Sequence, residues 1–480
     1  MLFLAVLCSC TDSSLLKKIP ADAEMVVFAD FKKLALSSIS PDMLFSGQNE
    51  NKQENSEQIW RNSGIDILSE SVIFSTSNIR QESCWFLLLP LSDADEFKKF
   101  CEKNGAQPDN EAGQGWLKKG KFRILIQKDL AIGITAPEAA TVDEIKKEVL
   151  SVVNLGEEEN LLAKSRSFQV LKEEDKAIGL WANLEPSLSG LSLFIPSEML
   201  RGEITGSADF KSGELVMEGR HFTPDSLNEI QILGPPIQKE LINSIGSRSG
   251  NAGVLALSLS LPPIYKMLEA IGYSSTGSIM AAQYGLNLEE IMQTLSGEIV
   301  LTALNGKGTK GEFPETLLQL GLKKPADDIF SKLTQAGILV VEGGGTFRIS
   351  GSPEFRIIKQ EKFLEVYTES FRNSDSPDLK LKEFASARPA QVLCSINLQD
   401  LKELLPESQI GAKTVTTGKY WKNFRMRISR EETGNSLMTC RLECMNEDDN
   451  SLLTLLQCLA DLSREDQDEH NQTENPPPLF

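Results

Sequence analysis

Gly120–Thr135 reads GKFRILIQKDLAIGIT, and Pro353–Thr368 reads PEFRIIKQEKFLEVYT. Phe122, Arg123 and Ile124 match Phe355, Arg356 and Ile357 at an offset of 233, which runs without a gap to Thr135 and Thr368. Phe122, Ile124 and Ile126 fall on one parity, Arg123 and Gln127 on the other. A period of two marks a strand, and the polar Lys128-Asp129 or Gln360-Glu361-Lys362 marks a turn, so each stretch is expected to form a β-hairpin. Upstream, Asp95, Phe97 and Lys99 match Asp328, Phe330 and Lys332 at the same offset. DADEFKKFCEKNG places Phe97, Phe100 and Cys101 at helical spacing with Gly105 as a C-terminal stop. Further out the register drifts but the order of segments persists. ADAEMVVFADFKKL answers NAGVLALSLSLPPIYKML, KAIGLWANLEPSL answers PAQVLCSINLQDLKELL, and GSADFKSGELVMEGRHF answers KNFRMRISREETGNSLMTCRLEC. The expected fold is α+β: two tandem homologous repeats, each a mainly antiparallel sheet with helices packed on one face. The expected segments are a signal peptide and tether at 1–18, repeats at 19–245 and 246–462, and a disordered acidic, proline-rich tail at 463–480.

The chain has 480 residues, 49 basic and 68 acidic, for a net charge of −19 and a pI near 4.8. Such an anion is repelled by phosphate backbones, which argues against nucleic acid as a partner. No apolar run after residue 10 reaches the 18 residues of a spanning helix. The N-terminal MLFLAVLCSC is a short apolar run ending in two cysteines, with no preceding Lys or Arg. Leu7-Cys8-Ser9-Cys10 resembles a bacterial lipobox, in which a small residue precedes the lipidated cysteine. Ser9 before Cys10 meets that need and Leu7 before Cys8 does not, so Cys10 is the expected lipidation site, with Thr11–Lys18 as a polar tether.

LCSC, IPADAEMVVFADFKKL, LSGEIVLTAL and NSLLTLLQ together resemble the uncharacterised lipoproteins of Bacteroidetes, a domain family of unknown function. The resemblance covers most of residues 19 to 462. It implies an exported protein with a repeated α+β fold, lipid-anchored in the bacterial outer membrane and facing the periplasm or the cell surface. It supplies no catalytic residues.

The chemical motifs dissolve on inspection of their spacing. Gly306–Gly311, GKGTKG, matches a dinucleotide fingerprint and follows an apolar strand, but Pro314 and the strand-like TLLQLGL stand where a helix must open. No Gly-Lys pair is followed by Ser or Thr, so there is no phosphate-binding P-loop. His221 and His470 are the only histidines, which removes HExxH zinc chemistry and argues against a Ser-His-Asp or Cys-His pair. Asp93-Ala94-Asp95 begins like a calcium loop, but Phe97 takes a ligand position, so these carboxylates are expected to favour a helix N-terminus. In SLMTCRLEC, Met438, Cys440, Leu442 and Cys444 share a strand face as core residues rather than metal ligands. Trp85 and Trp181 sit in apolar strands and are expected in the core. Arg123 and Arg356 are expected on a solvated sheet face. No catalytic, cofactor or metal site is expected. The expected function is a non-catalytic envelope protein, held to the membrane by its N-terminal lipid and binding an unidentified envelope protein or glycan. The alternative is an exported carboxylate-dependent hydrolase acting on glycosides or peptides, since carboxylate pairs meet only in the fold.

Overall fold

The computed structural model describes residues 15–36, 63–66, 68–184, 201–222, 233–246, 251–270, 273–304, 316–368, 389–400, 417–459 and 461–462. Cys10, the Gly306–Gly311 loop, His470 and the 463–480 tail lie outside the described residues. The protein is α+β with mostly antiparallel sheet. It divides into two compact units, one comprising Met1–Lys211 with Met217–Pro224, the other Ser212–Val216 with Asp225–Phe480.

The elements leading into the first unit are β1 (Met25–Asp30), α1 (Phe31–Leu36), β2 (Glu70–Ile79), β3 (Glu82–Pro90) and α2 (Ala94–Lys103). There follow β4 (Gln107–Pro108), β5 (Trp116–Lys119), β6 (Phe122–Ile126), β7 (Leu130–Thr135), α3 (Val142–Val153), α4 (Leu161–Lys164) and α5 (Arg166–Glu173). β8 (Ile178–Asn183), β9 (Glu203–Phe210) and β10 (Glu214–Phe222) complete the set. Antiparallel ladders join them in the order β4-β5-β6-β7-β3-β2-β1-β8-β9, and β10 pairs with β9. One face of this sheet carries Val26, Phe28, Val72, Phe74, Phe86, Leu88, Ile132, Ile134 and Trp181. α3, α4 and α5 bury it with Ile145, Val149, Val152, Leu161, Phe168 and Leu171.

α2 packs on the opposite face. Its Phe97 and Cys101 bury Leu117, Ile124 and Ala131, which alternate with the core residues Leu125 and Ile132. The expectation of helices on one face is corrected here. β6 and β7 are apolar on both parities, Ile124 and Ile126 one way and Leu125 the other, so that end of the sheet needs cover on both sides. The start and stop of α2 are local. Asp93 Oδ1 accepts the Asp95 and Glu96 backbone N–H groups at 2.9 Å each. Gly105 at φ 89° lets its own N–H reach Glu102 O and the Ala106 N–H reach Cys101 O, satisfying two orphan carbonyls.

The second unit runs α6 (Lys239–Gly246), β11 (Asn251–Ser258), α7 (Leu261–Ala270), α8 (Tyr273–Gln283), α9 (Leu288–Thr294), β12 (Leu295–Leu304) and β13 (Thr316–Leu322). It continues with α10 (Asp327–Gln335), β14 (Leu339–Gly343), β15 (Thr346–Ile349), β16 (Ser352–Lys359) and β17 (Phe363–Thr368). β18 (Val392–Asn397), β19 (Trp421–Arg430) and β20 (Ser436–Cys444) follow. Its antiparallel ladders run β14-β15-β16-β17-β13-β12-β11-β18-β19-β20. α6 covers one face through Leu241 and Ile242, with Ile237 just before it, against Val254, Ala256, Val300 and Leu393. α10 covers the other face at the hairpin end through Phe330, against Phe347, Ile349, Ile357 and Leu364.

The two quoted stretches form the expected hairpins. β6–β7 pairs Phe122 with Thr135 and Ile124 with Gly133, and β16–β17 pairs Phe355 with Thr368 and Ile357 with Val366. Phe122, which opens β6, and Phe355, the fourth residue of β16, are both half-buried.

Candidate functional site

Asp30 closes β1 and Glu70 opens β2, and the antiparallel register sets them directly opposite each other. Each continues the parity of the buried face, Val26-Phe28-Asp30 on one strand and Glu70-Val72-Phe74 on the other. Directly opposed residues hold their Cβ atoms about 4.5–5.5 Å apart, so two carboxyl groups share the rim of the core. The turn into α1 brings a cation to them. Asp30 Oδ1 accepts the Lys33 backbone N–H at 3.0 Å, while Lys33 Nζ stands 3.3 Å from Asp30 Oδ2 and 2.5 Å from Asp175 Oδ1. Asp175 adopts φ 54° just after α5.

These groups line an open cleft of about 480 Å³, together with Lys18, Pro90, Lys172 and Lys176. Burial pushes the Glu70 carboxyl up to about 7, the Asp30 carboxylate adds to the rise, and Lys172 and Lys33 oppose it. Burial disfavours the Lys33 charge, yet the Asp175 and Asp30 carboxylates hold its pKa above the ordinary lysine range. A carboxyl titrating near neutrality beside a second acid and a cation can give or take a proton at physiological pH. In the second unit the corresponding rung of β11–β12 pairs Ser258 with Glu298. Glu298 is buried and accepts the Gln238 backbone N–H at 2.5 Å, Gln238 Nε2 at 2.6 Å and Ser296 Oγ at 2.7 Å. That carboxylate is taken up by structural hydrogen bonds.

A second surface feature lies on the strip of each sheet that the described helices leave uncovered. On one rung of the first unit Leu180, Val27, Ile73 and Leu87 stand side by side, and Ile73 is 43% exposed. Trp85, on the same face, is 41% exposed. It is therefore not the core residue that the apolar strand suggested, because its parity points away from α3–α5. Trp181, on the other parity, is buried as expected. In the second unit Cys394, Leu255, Leu301 and Leu318 form such a rung, with Leu301 42% exposed.

The residues singled out from sequence fall as follows. Arg123 and Arg356 do not face solvent. Arg123 Nε stands 2.9 Å from Oδ2 of the fully buried Asp109, and Arg356 Nε stands 2.9 Å from Glu342 Oε2, which Arg348 shares. Alternation predicts a polar side for those strands but not the carboxylate that waits there. His221 Nε2 lies 3.0 Å from the Arg201 carbonyl at the end of β10. Asp93 caps α2. Cys84, Cys101, Cys394, Cys440, Cys444 and Cys458 are not joined in disulfides. Burial pushes Cys101 to about 11, and burial with a contribution from Cys394 pushes Cys440 to about 11, so these are protonated core thiols. Cys440 and Cys444 are buried, but Met438 at the start of that strand face is exposed. Among the described residues, no group of three or more His, Cys, Asp or Glu could hold a metal ion, and no helix is long and apolar enough to cross a membrane.

Asp30 and Glu70 were missed in the sequence. The available signal was an acid placed on the apolar parity of a strand, where only a rim position or a partner makes it tolerable.

No family model matches the chain, and no curated protein matches it. Among solved structures it is similar to TP0453 in crystal form I, at 11% identity and a TM-score of 0.28, over 48% of this chain and 83% of that one. A likeness of that size carries no argument about fold or function.

Proposed function

We propose that the chain is a non-catalytic binding protein of the cell envelope, lipid-anchored through Cys10 in a bacterial outer membrane and built from two copies of one α+β module. The observation that carries the binding reading is the pair of uncovered apolar rungs, centred on Ile73 and Leu301. Adjacent apolar side chains left open on a sheet mark a surface that gains by being covered. Two findings support common ancestry of the units: the ladder orders match strand for strand, and the β6–β7 and β16–β17 registers differ by the offset of 233. LCSC and the resemblance to Bacteroidetes lipoproteins support the anchor. The partner is an envelope protein or glycan.

The test is crosslinking of the full-length protein in native membranes, with and without Ile73→Asp plus Leu301→Asp. The double variant is expected to keep its fold and its place in the membrane while losing the captured partner; unchanged capture overturns the surface. Cys10→Ala is expected to move the protein to the soluble fraction, and a variant that stays in the membrane with fatty-acid labelling intact overturns the anchor.

One observation favours a second reading, an exported carboxylate-dependent hydrolase: Glu70 titrates near neutrality beside Asp30 in a cleft. Turnover of a polysaccharide or peptide panel that Glu70→Gln abolishes would replace the binding reading with this one.

A further inference from the structure

The loop between β4 and β5, residues 109–115, is exposed at its tip and fixed at its root. The fully buried Asp109 carboxylate holds the root, accepting Arg123 Nε at 2.9 Å and the Ala112 N–H at 3.4 Å. The backbone ties both ends, the Asp109 N–H donating to Trp116 O at 3.0 Å and the Ile126 N–H to Gly115 O at 2.9 Å. A buried ion pair adds little net stability; this one gives a surface loop a fixed shape. Asn110 and Gln114 of that loop line an open cleft of about 550 Å³. α2 supplies Asp95 and Lys98 to it, and the turn after β6 supplies Gln127 and Lys128. The carboxamides of Asn110, Gln114 and Gln127 have no hydrogen-bond partner, and Lys98 and Lys128 no ion pair, among the described residues. Two lysines against one acid make the lining cationic, on a chain whose net charge is −19. Gln127 also lines the cleft that holds Asp30 and Glu70, so the two clefts adjoin.

A carboxamide donates and accepts hydrogen bonds at once, as a sugar hydroxyl does, and three of them converge here from two separate elements. Pro108 and Ile126 add apolar surface for the C–H face of a ring. A peptide is poorly served, because the neighbouring edge strand β4 is two residues long and ends in Pro108, leaving no ladder for an added strand. We propose that this cleft binds an acidic oligosaccharide, with hydroxyls on Asn110, Gln114 and Gln127 and a carboxylate between Lys98 and Lys128. The adjoining cleft gives further rings a place to lie, which favours an oligomer over a single sugar. The net charge of the chain opposes any anion at long range, but at 0.1 M salt that repulsion is screened beyond about 10 Å. The cleft shares no residue with the rungs on Ile73 and Leu301, and the reading of those rungs does not depend on it.

The test is retention of the purified full-length protein on immobilised oligogalacturonate, oligoalginate and hyaluronan fragments, with a cello-oligosaccharide as the neutral control. At least one acidic glycan is expected to retain the protein, more weakly as salt rises, and the neutral one is not. Gln114→Ala and Lys128→Ala are each expected to weaken retention by at least about tenfold. Their thermal unfolding curves are expected to stay unchanged, since both side chains are exposed. Retention by none of the acidic glycans, equal retention by the neutral one, or indifference to both substitutions overturns the proposal. Equal retention on polyglutamate would assign the site to negative charge alone and overturn it too.

Discussion

Gly179→Ala tests how tightly the first core is packed. Gly179 in β8 stands opposite Phe28 in β1, and a Cβ at 179 would lie 2.2 Å from Phe28 Cζ and 2.4 Å from Cε1. Something must move, and Phe28 has nowhere to go. It is 5% exposed, meets Phe168 edge-on at 6.4 Å, and Phe168 meets Trp181 edge-on at 6.2 Å. Inserting a methyl into such a core costs about 1–3 kcal/mol. Restricting the unfolded chain returns about 0.4–1 kcal/mol. The expected net loss is therefore about 1–2 kcal/mol. Gly133→Ala is the built-in comparison, because its Cβ would lie 2.3 Å from Phe122 Cζ, an equally close approach. Phe122 is half-buried and can swing outward, so that loss is expected to stay within about 0.5 kcal/mol. Urea unfolding followed by tryptophan fluorescence, fitted for each unit separately, measures both. Phe28→Leu removes the ring, so Gly179→Ala in that background should cost at least about 1 kcal/mol less. A neutral or stabilising Gly179→Ala, or equal losses in the two backgrounds, would refute the argument that the ring is trapped.

Two further predictions concern charge. Glu70 titrates near 7 in the folded protein against 4.5 when free, so it opposes folding once ionised. Its favourable protonated form is fully present below about pH 4.5 and is lost as pH rises through 7, at a cost on the order of 3 kcal/mol. Glu70→Gln should therefore flatten the fall in stability between those values and raise stability above pH 7, and an unchanged pH profile would count against it. Arg123→Ala leaves the fully buried Asp109 with the Ala112 N–H at 3.4 Å and, as counter-charge, Lys118 at 3.9 Å, and should cost about 3–5 kcal/mol. Arg356→Ala should cost less, since Glu342 is one-third exposed and keeps Arg348; equal losses by denaturant titration would contradict this ranking.

Much of the local structure was legible in the linear chain. Alternation marked β6, β7, β16 and β17, and their polar turns set the hairpin registers, because both signals act over a few residues. Asp93 and Gly105 bounded α2 for the same reason: a cap satisfies backbone groups within one turn of itself. The assignment of charges to partners was not legible. Arg123 meets Asp109 across a turn and a strand, Arg356 meets Glu342, and Asp30 faces Glu70 across forty residues of chain. Nor did alternation say which parity of a strand the helices would cover, so Trp85 and Trp181 read alike and lie on opposite sides of the sheet. Parity is a property of one strand, while burial and pairing depend on which strands become neighbours and which helices cross them, and only tertiary packing decides that.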